Sequence, residues 1–117
     1  MNAHIAIVNG SVKVTWNLWL DDERNPGLAA DPSEPQVSGW VWAKSTKEAI
    51  KLVETLDNPA FMSLDHDLGG EDTSMKFLKW LANYSYPSEY QVHSANPVGA
   101  KNIVSFMESW KKSLLLK

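Results

Sequence analysis

The chain has no cysteine, which excludes disulfides and thiolate metal sites and fits a reducing compartment. It has no basic run; net charge is −3 and the pI is near 5.5, so a surface that tracks nucleic-acid phosphates is not expected. It has no apolar stretch near the ~20 residues of a membrane span, and Met1-Asn2-Ala3-His4 does not open like a signal peptide. A cytoplasmic protein with neither nucleic-acid nor membrane partners is the expectation. Internal repeats and low-complexity tracts are absent as well. At 117 residues the chain should form one domain, residues 1–117, large enough to bury a core. The unusual abundance is tryptophan, with six copies. Most should be core or loop-covering residues, because large rings fill a small domain efficiently.

The chemically richest stretch is Phe61-Met62-Ser63-Leu64-Asp65-His66-Asp67-Leu68-Gly69-Gly70. A short apolar run bounded by turn residues reads as a buried strand, and this one ends on two carboxylates flanking a histidine. Charges at the end of a buried strand are costly unless something pairs with them. The pair therefore points to a metal, a basic partner or a solvated mouth. An isolated D-x-D would read as solvated turn acids. A second acidic pair, however, ends another apolar run, Leu18-Trp19-Leu20-Asp21-Asp22, and two strands delivering acids to their C-terminal ends describe one site.

Along the chain, His4 to Val8 and Val12 to Trp16 flank Asn9-Gly10, a strong hairpin signal. The second arm could run on toward Leu20. From Asp21 to Gly39 three prolines argue against a regular helix, leaving a long irregular connection. Trp40 to Ala43 reads as a strand. Ser45-Thr46-Lys47-Glu48 is a capping box opening a helix with Ala49, Ile50, Val53 and Leu56 on its apolar face, stopped by Asn58-Pro59. After the Phe61 strand, a helix capped near Asp72-Thr73 should bury Met75, Leu78, Leu81 and Ala82. Tyr90 to Ser94 reads as a mixed, edge-like strand. Asn96-Pro97 opens a last helix whose buried stripe would be Ile103, Val104, Met107 and Trp110. Strands alternating with helices imply a parallel sheet, and ligands in such sheets sit beyond the C-terminal strand ends. Asp21, Asp22, Asp65, Asp67, His93 and Ser94 share that address.

These residues also carry a resemblance. Leu18 to Glu23 is similar to the first-strand signature of response-regulator receiver domains, where an acidic pair binds magnesium, and Asp65 then matches the phospho-accepting aspartate. Gly69-Gly70 fall where receivers have Pro-Gly, and Ser94-Ala95 resembles the Thr/Ser-Ala pair that ends their fourth strand. The combination L-D-D-x-R-x-P, S-L-D-H-D-L-G and H-S-x-N-P-x-G resembles a group of small phage and bacterial receiver-like proteins over Asn17 to Met107. The resemblance implies an α/β, flavodoxin-like fold, either three-layered or an open two-layer parallel sheet, with residues 1–16 an added N-terminal hairpin. Three departures stand out. The first receiver helix is replaced by the proline-rich connection. Asp67 is an extra acid. The fifth strand and its lysine are missing or reduced to Leu114-Leu115-Leu116-Lys117, a segment that reads equally as the frayed end of the last helix.

The donor set is all hard oxygen: Asp21, Asp22 and Asp65, with Asp67 a further possibility. It suits Mg²⁺ or Mn²⁺. The competing reading is an ion pair in which Arg24 or Lys101 neutralises the acids. His66 and His93 could serve as general bases or as structural hydrogen-bonding residues. Ser94, Asn96 and the amides opening the last helix form a candidate anion site, joined by His93 and by Arg24 as a bidentate clamp; capping alone would also explain Asn96. Three functions stay open: a receiver-like binding or signalling module for a phosphorylated small molecule or partner protein; a metal-dependent phosphohydrolase or phosphotransferase with Asp65 as nucleophile and Asp67 as acid/base; and a phage protein that binds and modulates a host protein. Small size and the lack of a second domain favour the non-enzymes.

Overall fold

A computed structural model of the chain describes residues 4–8, 11–24 and 40–115. In chain order the elements are β1 (His4–Val8), β2 (Ser11–Thr15), β3 (Asn17–Leu20), β4 (Trp40–Ala43), α1 (Thr46–Leu56), β5 (Phe61–Leu64), α2 (Ser74–Tyr84), β6 (Glu89–Val92) and α3 (Pro97–Leu115). The strands β3 to β6 form one parallel sheet in the order β4-β3-β5-β6. Counted from the first parallel strand this is 2-1-3-4, the flavodoxin-like order with no fifth parallel strand among the described residues. The expected α/β receiver-like sheet is therefore what the chain forms. Strand order reverses between β3 and β5, and the crevice beyond their C-terminal ends is where such sheets take ligands.

Val8 pairs with Ser11 in the antiparallel β1–β2 hairpin, as the Asn9-Gly10 signal requires; those two turn residues lie outside the described ones. The second arm does not run on toward Leu20, because β3 pairs in the other sheet. The irregular connection expected from Asp21 to Gly39 is described only to Arg24. At the other end α3 continues through Leu115, so Leu114 and Leu115 are helical and do not form a reduced fifth strand. Leu116 and Lys117 lie outside the described residues.

The helices are set by their caps and apolar stripes. Ser45 Oγ accepts the Glu48 N–H at 3.1 Å, and the Glu48 carboxylate reaches back to the Lys44 N–H at 3.0 Å, one residue earlier than the usual capping box. Asp72 adds bonds to the Thr46 N–H and hydroxyl, tying the start of α1 to the loop before α2. In α2 the buried stripe is Ser74, Phe77, Leu78 and Leu81. Met75 and Ala82, expected inside, are only partly buried, and Phe77 is a core residue in their stead. In α3, Ile103, Met107 and Trp110 are buried as expected. Val104 is not, at 42% exposed; Gly99, one turn before Ile103, completes the stripe.

The sheet's two faces differ. Leu18, Leu20, Val41, Ala43, Met62 and Leu64 point one way and join the helices in a single core, each fully buried aliphatic contributing about 1.5–3 kcal/mol. The β4–α1–β5 and β5–α2–β6 connections cross the sheet in the same direction, so right-handed crossovers place both helices on that face, where α1 meets α2 and α2 meets α3. On the opposite face Trp42, Trp19, Ser63 and Gln91 form a row in register, with Trp40 edge-on to both Trp19 and Phe61 at 5.7 and 6.1 Å.

Gly99 is needed for a close approach. A Cβ there would lie 2.6 Å from His66 Nδ1 and 2.8 Å from its Cβ. His66 cannot yield cheaply, because its N–H is bonded to Asp65 Oδ1 and its carbonyl to the Ser74 N–H. A glycine-to-alanine change inside a helix ordinarily stabilises by about 1 kcal/mol. Here the clash should reverse the sign, with Gly99→Ala losing about 1–3 kcal/mol in urea unfolding. An unchanged or raised midpoint would show that the ring has room to move.

Candidate functional site

The parallel ladder continues one residue past the strands. The Asp21 N–H donates to Ala43 O, the Asp65 N–H to Leu20 O and the His93 N–H to Leu64 O, at 3.1, 2.9 and 3.0 Å. This register lines up Asp21, Asp65 and His93 side by side at the C-terminal edge, at the switch point. Asp22 joins them, and one carboxylate oxygen from each of Asp21, Asp22 and Asp65 lies within 4.8 Å of the others. The cluster opens into a cleft of about 500 Å³ whose rim includes Arg24, Asp67, Gly69, Ser94 and Asn96. Gly69 has φ +93°, a conformation that favours glycine, and a Cβ there would only touch Asp22 Oδ2, at 3.4 Å.

Asp21 is almost completely buried, at 1% exposed, and its oxygens are well supplied with donors. Oδ1 accepts the N–H groups of Glu23 and Arg24 at 2.8 and 2.9 Å. Oδ2 meets His93 Nε2 at 2.9 Å and Arg24 Nε at 3.5 Å. Burial by itself would raise its pKa; the Arg24 and Glu23 amides with the His93 ring outweigh that and hold it below the ordinary value. Asp65 goes the other way. Burial first, then the neighbouring Asp21 charge, push its pKa up, against the pull of the Ser94 hydroxyl and the His66 N–H. Burial likewise lowers the pKa of His93, with Asp21 opposing, which favours a neutral ring.

Three carboxylates thus face one guanidinium, and that guanidinium, on a half-exposed side chain, is shared with the His93 carbonyl at 2.9 Å. The ion pair foreseen for the acids comes from Arg24, whereas Lys101 lies exposed on α3. A surplus of negative charge on hard oxygens, with one acid destabilised by another, fits a divalent cation of the Mg²⁺ or Mn²⁺ kind. Asp21, Asp22 and Asp65 are the residues that would hold it.

The remaining candidates are spread around this cluster. Asp67 is outside it, with Oδ1 on His66 Nδ1 at 3.0 Å and Oδ2 on Asn96 Nδ2 at 3.1 Å; these contacts, His66 first, keep its carboxyl below the usual range. Asn96 Oδ1 caps α3 through the Gly99 N–H, and Ser94 Oγ accepts the Asn96 N–H. Asn96 therefore does the capping that the sequence offered as its alternative role, and the Gly99 amide is already occupied. His93 lies beneath the acids, stacked on Trp19 at 4.1 Å and 9°. Three contributors were missed from the sequence. Ser63 Oγ contacts His93 Nδ1 at 2.7 Å, Gln91 Nε2 donates to Ser63 Oγ at 2.9 Å, and Trp42 Nε1 donates to Asp21 O at 2.6 Å. A polar Ser63 inside the otherwise apolar Phe61–Leu64 strand was the available signal.

The raised Asp65 pKa has a stability consequence. A carboxyl that binds its proton more tightly when folded makes stability fall as pH rises above the unfolded value of about 3.9. The penalty is complete above the folded pKa. Asp65→Asn should therefore raise the melting temperature at pH 7, with the gain vanishing as the pH falls below the ordinary carboxyl range. A lower melting temperature at pH 7 would mean that Asp65 is stabilising, contrary to this electrostatic picture.

Among proteins of curated function and among solved structures, no match to the chain was found. A family model described as the cyclic-phosphate processing receiver domain matches residues 16–109, a span that contains the whole parallel sheet, the acidic cluster, His93 and most of α3. The chain belongs to the cyclic-phosphate processing receiver domain family.

Proposed function

We propose that the acidic cleft binds a divalent cation through Asp21, Asp22 and Asp65 and, with it, a cyclic phosphodiester. The observation that carries this reading is the convergence of three carboxylates within 4.8 Å at the switch point. The family's description supplies the phosphate chemistry. A cation there would offset the ligand's negative charge and polarise its phosphoryl oxygens. Arg24 is the one cation among the described residues lining the cleft, and its half-exposed guanidinium can turn toward an anion without unfolding the site. Ser94 adds a hydroxyl to the lining of the same cleft. A binding module for a phosphorylated small molecule accounts for all of these features.

A second reading, hydrolytic opening of the ring, is favoured by the word "processing" in the family's description. Water would add at phosphorus, one ring P–O bond would break, and the freed alkoxide would take a proton to give a phosphomonoester. Asp67 is ionised and turned toward His66 and Asn96, so at neutral pH it can accept a proton but has none to deliver. Aspartyl phosphorylation is the less fitting use of the cleft. Receivers neutralise the acyl phosphate with a lysine, and no lysine lines the cleft among the described residues.

Millimolar Mg²⁺ or Mn²⁺ should raise the melting temperature, because a ligand that binds only the native state stabilises it by about 2.7 kcal/mol at one hundred times Kd. The rise should disappear in Asp22→Asn. No rise in the wild type would remove the cation from the proposal. With the cation present, a 2′,3′-cyclic nucleotide should bind in calorimetry, and Arg24→Ala should weaken it by about tenfold, the loss of one charge-assisted contact. Phosphorus NMR of the same mixture separates the readings: an unchanged cyclic resonance supports binding, and conversion to a monoester establishes hydrolysis.

Beryllofluoride with Mg²⁺ should leave no stoichiometric adduct on Asp65. An adduct on the wild type that is absent from Asp65→Asn would make this a working phosphoacceptor.

A further inference from the structure

The acids of the cleft are supported from below by a chain of hydrogen bonds with one direction. Asp21 Oδ2 is a carboxylate oxygen and can only accept, so the proton on the His93 ring must sit on Nε2, 2.9 Å away. In a neutral ring Nδ1 is then an acceptor. Its partner is Ser63 Oγ at 2.7 Å, which has a single proton to give and must give it here. The Ser63 oxygen accepts in turn from Gln91 Nε2 at 2.9 Å. Polarity runs one way, from Gln91 through Ser63 and His93 to Asp21, crossing from β6 to β5, back to the end of β6, and on to the end of β3.

The ring at the centre of this chain has little freedom. Its face is stacked on Trp19. Trp19 Nε1 donates to Arg24 O at 2.7 Å, and Arg24 Nη2 donates back to His93 O at 2.9 Å, closing a loop of contacts around the ring. Asp21 is held on its other oxygen by the two amides that follow it. The torsion of its carboxylate is thus determined from both sides.

We propose that His93 is a positioning residue, supported by Ser63 and Gln91, that locks the Asp21 carboxylate in the orientation from which Asp21, Asp22 and Asp65 can share one cation. This rests on the cation reading above. Residues that orient a metal ligand typically change affinity about 10–100-fold when removed, because the ligand must otherwise be ordered at the moment of binding. His93 itself need touch neither the cation nor the phosphate.

Mn²⁺ binding, followed by the electron-paramagnetic resonance of the free ion at one fixed pH, tests this without any activity measurement. His93→Phe keeps the aromatic stack on Trp19 and removes both hydrogen bonds; it should weaken Mn²⁺ binding about tenfold or more. His93→Gln places an amide N–H near the position of Nε2 and should restore affinity to within about threefold of wild type, since the orienting bond is retained. Ser63→Ala, a small change that keeps the ring, should fall between the two. In the metal-free protein, two-bond ¹H–¹⁵N correlation should show the His93 ring protonated on Nε2, the nitrogen facing Asp21.

Wild-type affinity in His93→Phe or Ser63→Ala would overturn the positioning role, as would a His93→Gln variant as weak as His93→Phe, or an Nε2 found without its proton. Should His93→Phe fail to fold, Ser63→Ala and the tautomer decide. A wild type that binds no Mn²⁺ defeats the cation reading and this inference together, whereas a binding wild type with an indifferent His93→Phe defeats the positioning role alone.

Discussion

The cleft depends on the parallel ladder running one residue beyond its strands. That register forces Asp21 and Asp65 side by side on a partly desolvated edge. Two unit charges at such separations repel by roughly 3–4 kcal/mol at the effective dielectric typical of a protein surface. The structure offsets the repulsion unequally. Asp21 receives two amides, a histidine and a guanidinium, and its pKa falls. Asp65 receives far less, and its pKa rises. Neighbouring acids driven apart in this way are a pattern seen where a charged ligand or a proton is to be handled, and the family description is consistent with a charged ligand.

The sheet's two faces divide the work. The face toward the helices is aliphatic and closes the core, so it sets the strand order and therefore where the strand ends lie. The other face carries the aromatic row and the polar pair Ser63 and Gln91. A buried hydroxyl in the middle of a strand is costly when unpaired, and Ser63 Oγ finds its partners in His93 and the exposed Gln91 amide. Trp19 serves both halves of the problem. Its ring supports His93 while its Nε1 fixes the backbone at Arg24, so the conformation after the acidic pair is tied to the histidine from another strand.

One departure from the receiver pattern, the extra acid Asp67, lies on the rim of the cleft. Asp67 is drawn to His66 and Asn96, and the His66 ring lies against α3 at Gly99. The loop after β5 is thereby clamped to the start of the last helix. The amide of Gly99 at that helix start is used in capping by Asn96 Oδ1. Within H-S-x-N-P-x-G, Asn96 and Gly99 therefore act as a structural clamp.

Much of this was legible in the amino-acid sequence, because it depends on local rules. The Asn9-Gly10 hairpin, the Ser45 and Asn96 caps, the strands at Trp40 and Phe61, and the acids at two strand ends all follow from turn chemistry, capping and apolar runs. The alternation of strand and helix implied the parallel sheet, and a parallel sheet implied one address for Asp21, Asp22 and Asp65. Phase within α2 and α3 was less secure. Phe77 in place of Met75, and Gly99 in place of Val104, were decided by which side of each helix met the sheet and by the need to admit the His66 ring. The fate of His93 was beyond sequence altogether. Its partners Ser63, Trp19 and Asp21 are 30, 74 and 72 residues away, and only the pairing of β5 with β3 and β6 brings them within hydrogen-bonding and stacking distance. Local chemistry determined which residues could act; strand register decided which of them meet.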